Sequence, residues 1–131
     1  MKTAVLALAL LSVAPLVQAA DDCAKPADQQ SLNRCAAKDY AARDKRLRAL
    51  YNGYHKGLEK PHKQALADAQ QAWLRFRDLA CKFEASGVAG DPAYAMVLNG
   101  CLAQKTAQRT AELQALAQCE AGDLSCPAPR W

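Results

Sequence analysis

The chain has 131 residues, six of them cysteine, with 23% charged residues and a formal net charge of +4. That length accommodates one domain with a modest core. A basic excess this mild does not describe a dedicated nucleic-acid binder, which carries clustered basic stripes.

The first element is a targeting segment. Met1-Lys2-Thr3 is a short positive start, Ala4 to Val17 is almost wholly Ala, Leu and Val, and Val17-Gln18-Ala19 offers small residues for cleavage. This is the plan of a secretory signal peptide, assigned to residues 1–19. Its apolar run of about 14 residues is shorter than the ~20 a spanning helix needs, and no later stretch is long enough. A lipoprotein would carry a cysteine directly after the small residues, but here Ala20-Asp21-Asp22 precede Cys23. The expected product is exported to the periplasm or secreted, has no membrane anchor, and holds about 112 residues. Loss of Lys2 lowers its charge from +4 to +3. All six cysteines, Cys23, Cys35, Cys81, Cys101, Cys119 and Cys126, lie in that part. An even count in an exported chain predicts three disulfides. Metal binding is the weaker reading, because no C-x-x-C pair occurs.

Residues 20–118 read as one all-helical domain, since no stretch alternates as a strand requires and helix formers dominate. The first helix is predicted from near Ala27 to Tyr54, with Leu47, Leu50, Tyr51, Tyr54 and Leu58 on one face. Pro61 opens the second, which runs to about Glu84 with a stripe of Leu66, Ala69, Trp73, Phe76, Ala80 and Phe83. A loop from Ala85 to Gly90 follows. Asp91-Pro92 is expected to cap and begin the third helix, which continues to about Cys119 with Leu98, Leu102, Thr106, Arg109, Leu113 and Leu116 on one side. Residues 119–131 contain Gly122, Pro127 and Pro129 and read as an irregular tail looped by Cys119–Cys126.

Short connections between three helices predict an antiparallel up-down-up three-helix bundle stapled by disulfides. Counting outward from each turn places Cys35, Cys81 and Cys101 at one end, within reach of Cys23. The pairing Cys23–Cys35 with Cys81–Cys101 is favoured, and Cys35–Cys81 with Cys23–Cys101 remains open. One layer inward the same count places Asp44, Trp73 and Arg109 together. It predicts a partly buried Asp44–Arg109 ion pair with the guanidinium near the indole. Trp73 reads as a core residue, and Arg77 with Asp78 as a structural pair. His55 and His62, with Glu59 between them, could ligate zinc in principle. They straddle a Gly- and Pro-containing turn, however, and read as solvated loop residues, so no metal or cofactor is expected. No serine has a nucleophile-elbow setting and the cysteines are expected to be oxidised, so no catalytic residue is assigned. Paired carboxylates for glycoside chemistry would need a cleft that so slender a bundle does not offer.

Gln70, Trp73, Phe76, Arg77, Asp78 and Cys81 resemble the A-Q-x-x-W-x-x-[FY]-R-D-x-x-C core of the LprI-type lysozyme-inhibitor family. Cys23 with Asn33-Arg34-Cys35, Asp44…Leu47…Tyr51, and Cys101…Thr106…Arg109…Leu113 resemble its other elements, in order. Arg48 departs from the family's usual Asn, Lys105 from an apolar residue, and the Cys119–Cys126 tail is an addition. The resemblance implies a non-enzymatic helical protein whose partner is lysozyme. An inhibitor must occlude a cleft holding two carboxylates, so the candidate contact loops are the cationic turn (His55, Lys56, Lys60, His62, Lys63) and the Ser86 to Asp91 loop. An envelope interaction or stress-protection module with another partner is the alternative, for which the Pro127 to Trp131 tail is a plausible contact. Oligomeric state is not legible.

Overall fold

The structure, a computed structural model, describes residues 22–120 and 122–127. The expected signal peptide and the end of the tail, residues 128–131, lie outside them. Among the described residues every regular element is helical. Helix α1 spans Gln29–Lys56, begun by Asp28, whose side chain accepts from Ser31 N at 2.7 Å. That carboxylate satisfies one of the donors a helix start leaves without a partner. His55 and Lys56 occupy the last turn, where cations complement the helix dipole. Helix α2 spans Lys60–Glu84 with Pro61 in its first turn, and α3 spans Tyr94–Ala117. A single 3-10 turn at Ser86–Val88 and Gly90, at φ +82, carry the chain between them. The Asp91-Pro92 cap expected for α3 is displaced: Asp91 Oδ1 accepts from Ala93 N at 2.7 Å, tightening a turn, and the helix starts only at Tyr94.

With Ala93 at its N-cap position and no side-chain bond there, α3 lacks a cap of its own. Asn33 of α1 supplies one across the bundle. Its Oδ1 accepts from Met96 N at 3.1 Å, while its Nδ2 donates to Pro92 O at 2.8 Å. The starts of α1 and α3 are therefore level. At the other end Leu50 and Gly53 share a groove with Ala117, so α1 and α3 run parallel; they pack chiefly on each other, and α2 lies alongside the pair in the opposite sense. This is the up-down-up arrangement. Disulfides Cys23–Cys35 and Cys81–Cys101 brace the end where α1 and α3 begin, and Cys119–Cys126 closes the tail locally. Of the two pairings left open by level counting, the structure has the first. In the chain-entropy picture a loop the length of Cys81–Cys101 contributes about 3 kcal/mol.

The expected faces of α1 and α3 are inward. Leu47, Leu113, Thr106 and Cys81 are the largest fully buried side chains. Helix α2 departs from expectation. Its buried positions are Gln70, Arg77 and Cys81, with Trp73 and Leu74 half-buried. Phe76 and Phe83 are 60% and 79% exposed and Ala69 is exposed too, so half of the predicted stripe faces solvent, as does Leu79 outside it at 57%. The reason is rotational. Cys81 must meet Cys101, and Arg77, four residues earlier on the same face, must meet Asp44. Those two demands turn the Phe76 side of the helix outward.

Asn33→Ala should lower unfolding free energy by about 1–2 kcal/mol, the scale of a lost cap plus a lost amide contact. Asn33→Asp keeps the acceptor for Met96 N but not the donor for Pro92 O, and should fall between the two. Urea unfolding of the oxidised proteins measures both, and equal midpoints would remove the cross-helix cap.

Candidate functional site

The residues shared with the recognised motif converge on one side chain. Arg77 is 5% exposed. Its Nη1 donates to Asp44 Oδ1 at 3.1 Å on α1 and to Thr106 Oγ1 at 3.3 Å on α3. Its Nε donates to Asp78 Oδ1 at 2.9 Å. The guanidinium also lies 5.3 Å from the ring centroids of Tyr40 and Trp73. A buried cation is tolerable only when paired and hydrogen-bonded, and here all three helices contribute. Planar stacking and a forked donor set are what arginine, not lysine, supplies.

Arg109 occupies the next layer. Its Nε donates to Gln70 Oε1 at 3.1 Å, its Nη1 pairs with Glu112 at 3.1 Å, and it lies 5.8 Å from the Trp73 centroid. Trp73 thus sits between two guanidiniums. The expected Asp44–Arg109 pair is not formed: Asp44 pairs with Arg77 and, at 3.0 Å, with Arg48. Level counting was wrong by one helical turn, since Arg77 lies one turn beyond Trp73 on α2. Arg48, where the family usually has Asn, makes only a surface contact with Asp44, worth little. Lys105, where the family has an apolar residue, pairs with Glu84 at 2.9 Å and covers one side of Phe76 at 5.8 Å. Leu47 and Leu113 are fully buried beside this node, and Tyr51 is half-buried, stacking on His55. No buried side-chain nitrogen or oxygen among the described residues lacks a partner. The cluster is closely packed around Arg77, and a cleft of about 210 Å³ borders it on the Trp73 and Arg109 side.

Two roles here escaped the sequence reading. Tyr40 stands one turn before Asp44, a spacing that could have placed its ring on the same face. Its hydroxyl pKa is raised, chiefly by burial and against the lowering influence of Arg77. Asn33 stands two residues before Cys35, inside the recognised motif, yet nothing local marks it as a cap for a distant helix.

The two loops expected to make contact lie at opposite ends of α2. The α1–α2 turn presents Lys56 and Lys60 as exposed, and His55, His62 and Lys63 as half-buried. Lys56, Lys60 and Lys63 form no ion pair among the described residues, and Glu59 is the only acid in the turn. Beside it lies an apolar groove of about 440 Å³, lined by Ala49, Leu50, Gly53, Tyr54, Leu58 and Ala117. His62 lines a second groove of about 290 Å³ with Tyr54, Leu58, Leu66 and Leu116. The Ser86 to Asp91 loop sits at the opposite end of α2, 25 residues away, or roughly 37 Å at 1.5 Å per residue. The structure therefore separates the two candidate loops. Cys119, Asp123 and Cys126 cluster as metal ligands would, but both sulfurs are held in a disulfide.

Arg77→Ala should cost about 3 kcal/mol in urea unfolding, because it leaves Asp44 with only its surface contact to Arg48 and takes the donor from buried Thr106, and Arg77→Lys should recover little of it. A cycle of Asp44→Ala with Arg77→Ala should be non-additive, whereas Asp44→Ala with Arg109→Ala should add. Tyr40 gives a pH signature. Its folded pKa lies above the unfolded value, so its contribution is present below pH ~10 and lost as pH rises through the folded pKa. The unfolding midpoint of the parent should therefore fall more steeply above pH ~10 than that of Tyr40→Phe.

A protein of Rhizobium meliloti (strain 1021), described as uncharacterized, is 36% identical over 129 residues, covering 85% of this chain and 91% of its own. No solved structure matches the chain. The family model described as lysozyme inhibitor LprI matches residues 20–113. That span contains α1, α2, nearly all of α3 and every residue of the Arg77 brace, and the chain belongs to the lysozyme inhibitor LprI family.

Proposed function

We propose that this is an exported, non-enzymatic inhibitor that blocks the cleft of a lysozyme with the α1–α2 turn. Family membership supports the activity class, and three disulfides suit an oxidising compartment, the periplasm or the outside. The observation that carries the choice of surface is the unpaired cationic turn. Lys56, Lys60 and Lys63 project from a narrow end of the bundle, next to an apolar groove. A lysozyme cleft holds two carboxylates, and cations without internal partners are free to meet them. The adjoining groove adds apolar contact area, which a specific interface needs at its centre. The Ser86 to Asp91 loop is too distant to enter the same cleft, and Asp91 is already engaged with Ala93 N.

With a mature charge of +3, from +4 less Lys2, long-range steering toward a strongly basic lysozyme is absent. Inhibition then rests on local contacts. Purified oxidised protein should slow cell-wall lysis, followed as loss of turbidity, by at least one of several lysozyme types. The triple change of Lys56, Lys60 and Lys63 to Glu should weaken inhibition at least about tenfold, or ~1.4 kcal/mol, with the helical circular dichroism unchanged. No inhibition of any type at large molar excess would overturn the reading.

A further inference from the structure

We propose that the outer face of α2 is a homodimer interface, in which two copies pair antiparallel across a two-fold axis near Leu74. Ala65, Ala69, Ala72, Phe76, Leu79 and Phe83 are all exposed. Their spacing is four, three, four, three, four, the 3.5-residue repeat of a two-helix seam. The face turned into the bundle carries Gln70, Arg77 and Cys81 instead. An amphipathic helix ordinarily buries its apolar stripe; α2 turns Leu66, Trp73, Leu74, Ala80 and Cys81 inward with Gln70 and Arg77, and leaves a second apolar stripe in solvent.

Three features of that stripe select a second copy as its occupant. The first is size. The amino-terminal half of the seam is all alanine and the carboxy-terminal half is Phe, Leu and Phe. Antiparallel pairing sets Ala65 against Phe83 of the second copy, Ala69 against Leu79, and Ala72 against Phe76, large side chains into small positions throughout. A parallel pair would set Phe on Phe and leave Ala facing Ala. The second is shape. Ala65 and Ala69 border the groove of about 290 Å³, which lies where the aromatic ring of an opposing Phe83 arrives. The third is charge. Asp68 and Lys82 flank the seam on the same side, and antiparallel pairing brings each beside the other's counterpart, twice. Asp68 accepts only from Gln64 within the protomer, at 2.9 Å, and Lys82 has no ion pair among the described residues.

Arg75 lies close to the axis and faces its own copy, a like-charge contact that weakens the pair. The seam covers about 27 Å of helix at 1.5 Å per residue. It would bury on the order of 1,000 Å² in total, at the low end of specific interfaces. A dissociation constant in the micromolar range is expected. In this register the Ser86 to Asp91 loop of the second copy comes alongside residues 57–62, so the dimer borders the α1–α2 turn, and its test is separate from that of inhibition.

Sedimentation equilibrium of the purified oxidised protein, from about 1 μM to 1 mM, should show a monomer–dimer equilibrium. Phe76→Asp should raise the dissociation constant at least 30-fold without altering helical content, because that side chain is 60% exposed in the monomer and the cation beside its ring, Lys105, can pair with the new carboxylate. Asp68→Lys and Lys82→Asp should each weaken dimerisation about tenfold, and the double exchange should restore it. Arg75→Gln should tighten it several-fold, and for the parent added salt should weaken it less than a pure attraction would predict. A monomer at every concentration overturns the proposal. So does a dimer indifferent to Phe76→Asp, or a charge exchange that fails to restore association.

Discussion

A guanidinium buried between three helices must find partners on all of them, and that requirement organises this bundle. Removing an arginine from water costs several kcal/mol even after relaxation. Arg77 offsets that cost with Asp44 on α1, Thr106 on α3, its own neighbour Asp78 and two aromatic rings. Each contact is short and directional, so the set tolerates little sliding or rotation of α2. An all-apolar seam would permit several nearly equal rotations of so alanine-rich a helix. The polar node leaves one. The outward Phe76, Leu79 and Phe83 follow from the same constraint, because a helix cannot direct both its Arg77 face and its Phe76 face into one narrow core.

The two ends of the molecule are built differently. Where α1 and α3 begin, Asn33 reads the backbone of α3, one disulfide holds the segment before α1 onto that helix, and another ties α2 to α3. Where they finish, the side chains shorten to Ala49, Gly53, Gly57 and Ala117, and grooves open between the helices. Close packing elsewhere and incomplete packing here place adaptable apolar surface beside the unpaired lysines. The braced end holds the bundle in register, and the grooves and unpaired lysines lie at the other.

Much of this was legible in residue order, and what was not has identifiable causes. Helix number, sense and the disulfide-bearing end follow from periodicity, short turns and level counting. The apolar faces of α1 and α3 could be read directly, since Leu47 and Leu113 have no competing polar role. On α2 the heuristic that aromatic residues mark the core failed at Phe76 and Phe83, because a covalent bond at Cys81 and an ion pair at Arg77 outweigh the burial of two rings. The Asp44 partner was misassigned by one turn, within the error of counting from a turn whose centre is uncertain by two residues. Asn33 and Tyr40 act through three-dimensional neighbours far along the chain or across the bundle, and no local pattern announces such roles.

The geometry of an antiparallel α2 pair bears on how inhibition would operate at a cell wall. The two-fold axis near Leu74 lies some 16 residues from the Leu58 turn, or roughly 24 Å along the helix. The two cationic turns would then point in opposite directions, roughly 50 Å apart. Each turn would lie beside the second copy's Ser86 to Asp91 loop, and a lysozyme would have to approach from the side that loop leaves open. Lysozymes crowded on a peptidoglycan surface are immobilised neighbours, and a rigid two-headed ligand gains effective concentration from binding them together. A weak dimer suits this arrangement, because high local concentration at the wall favours pairing where the enzyme is dense. The rotation that Arg77 imposes on α2 would thereby set the valency of the molecule as well as its fold.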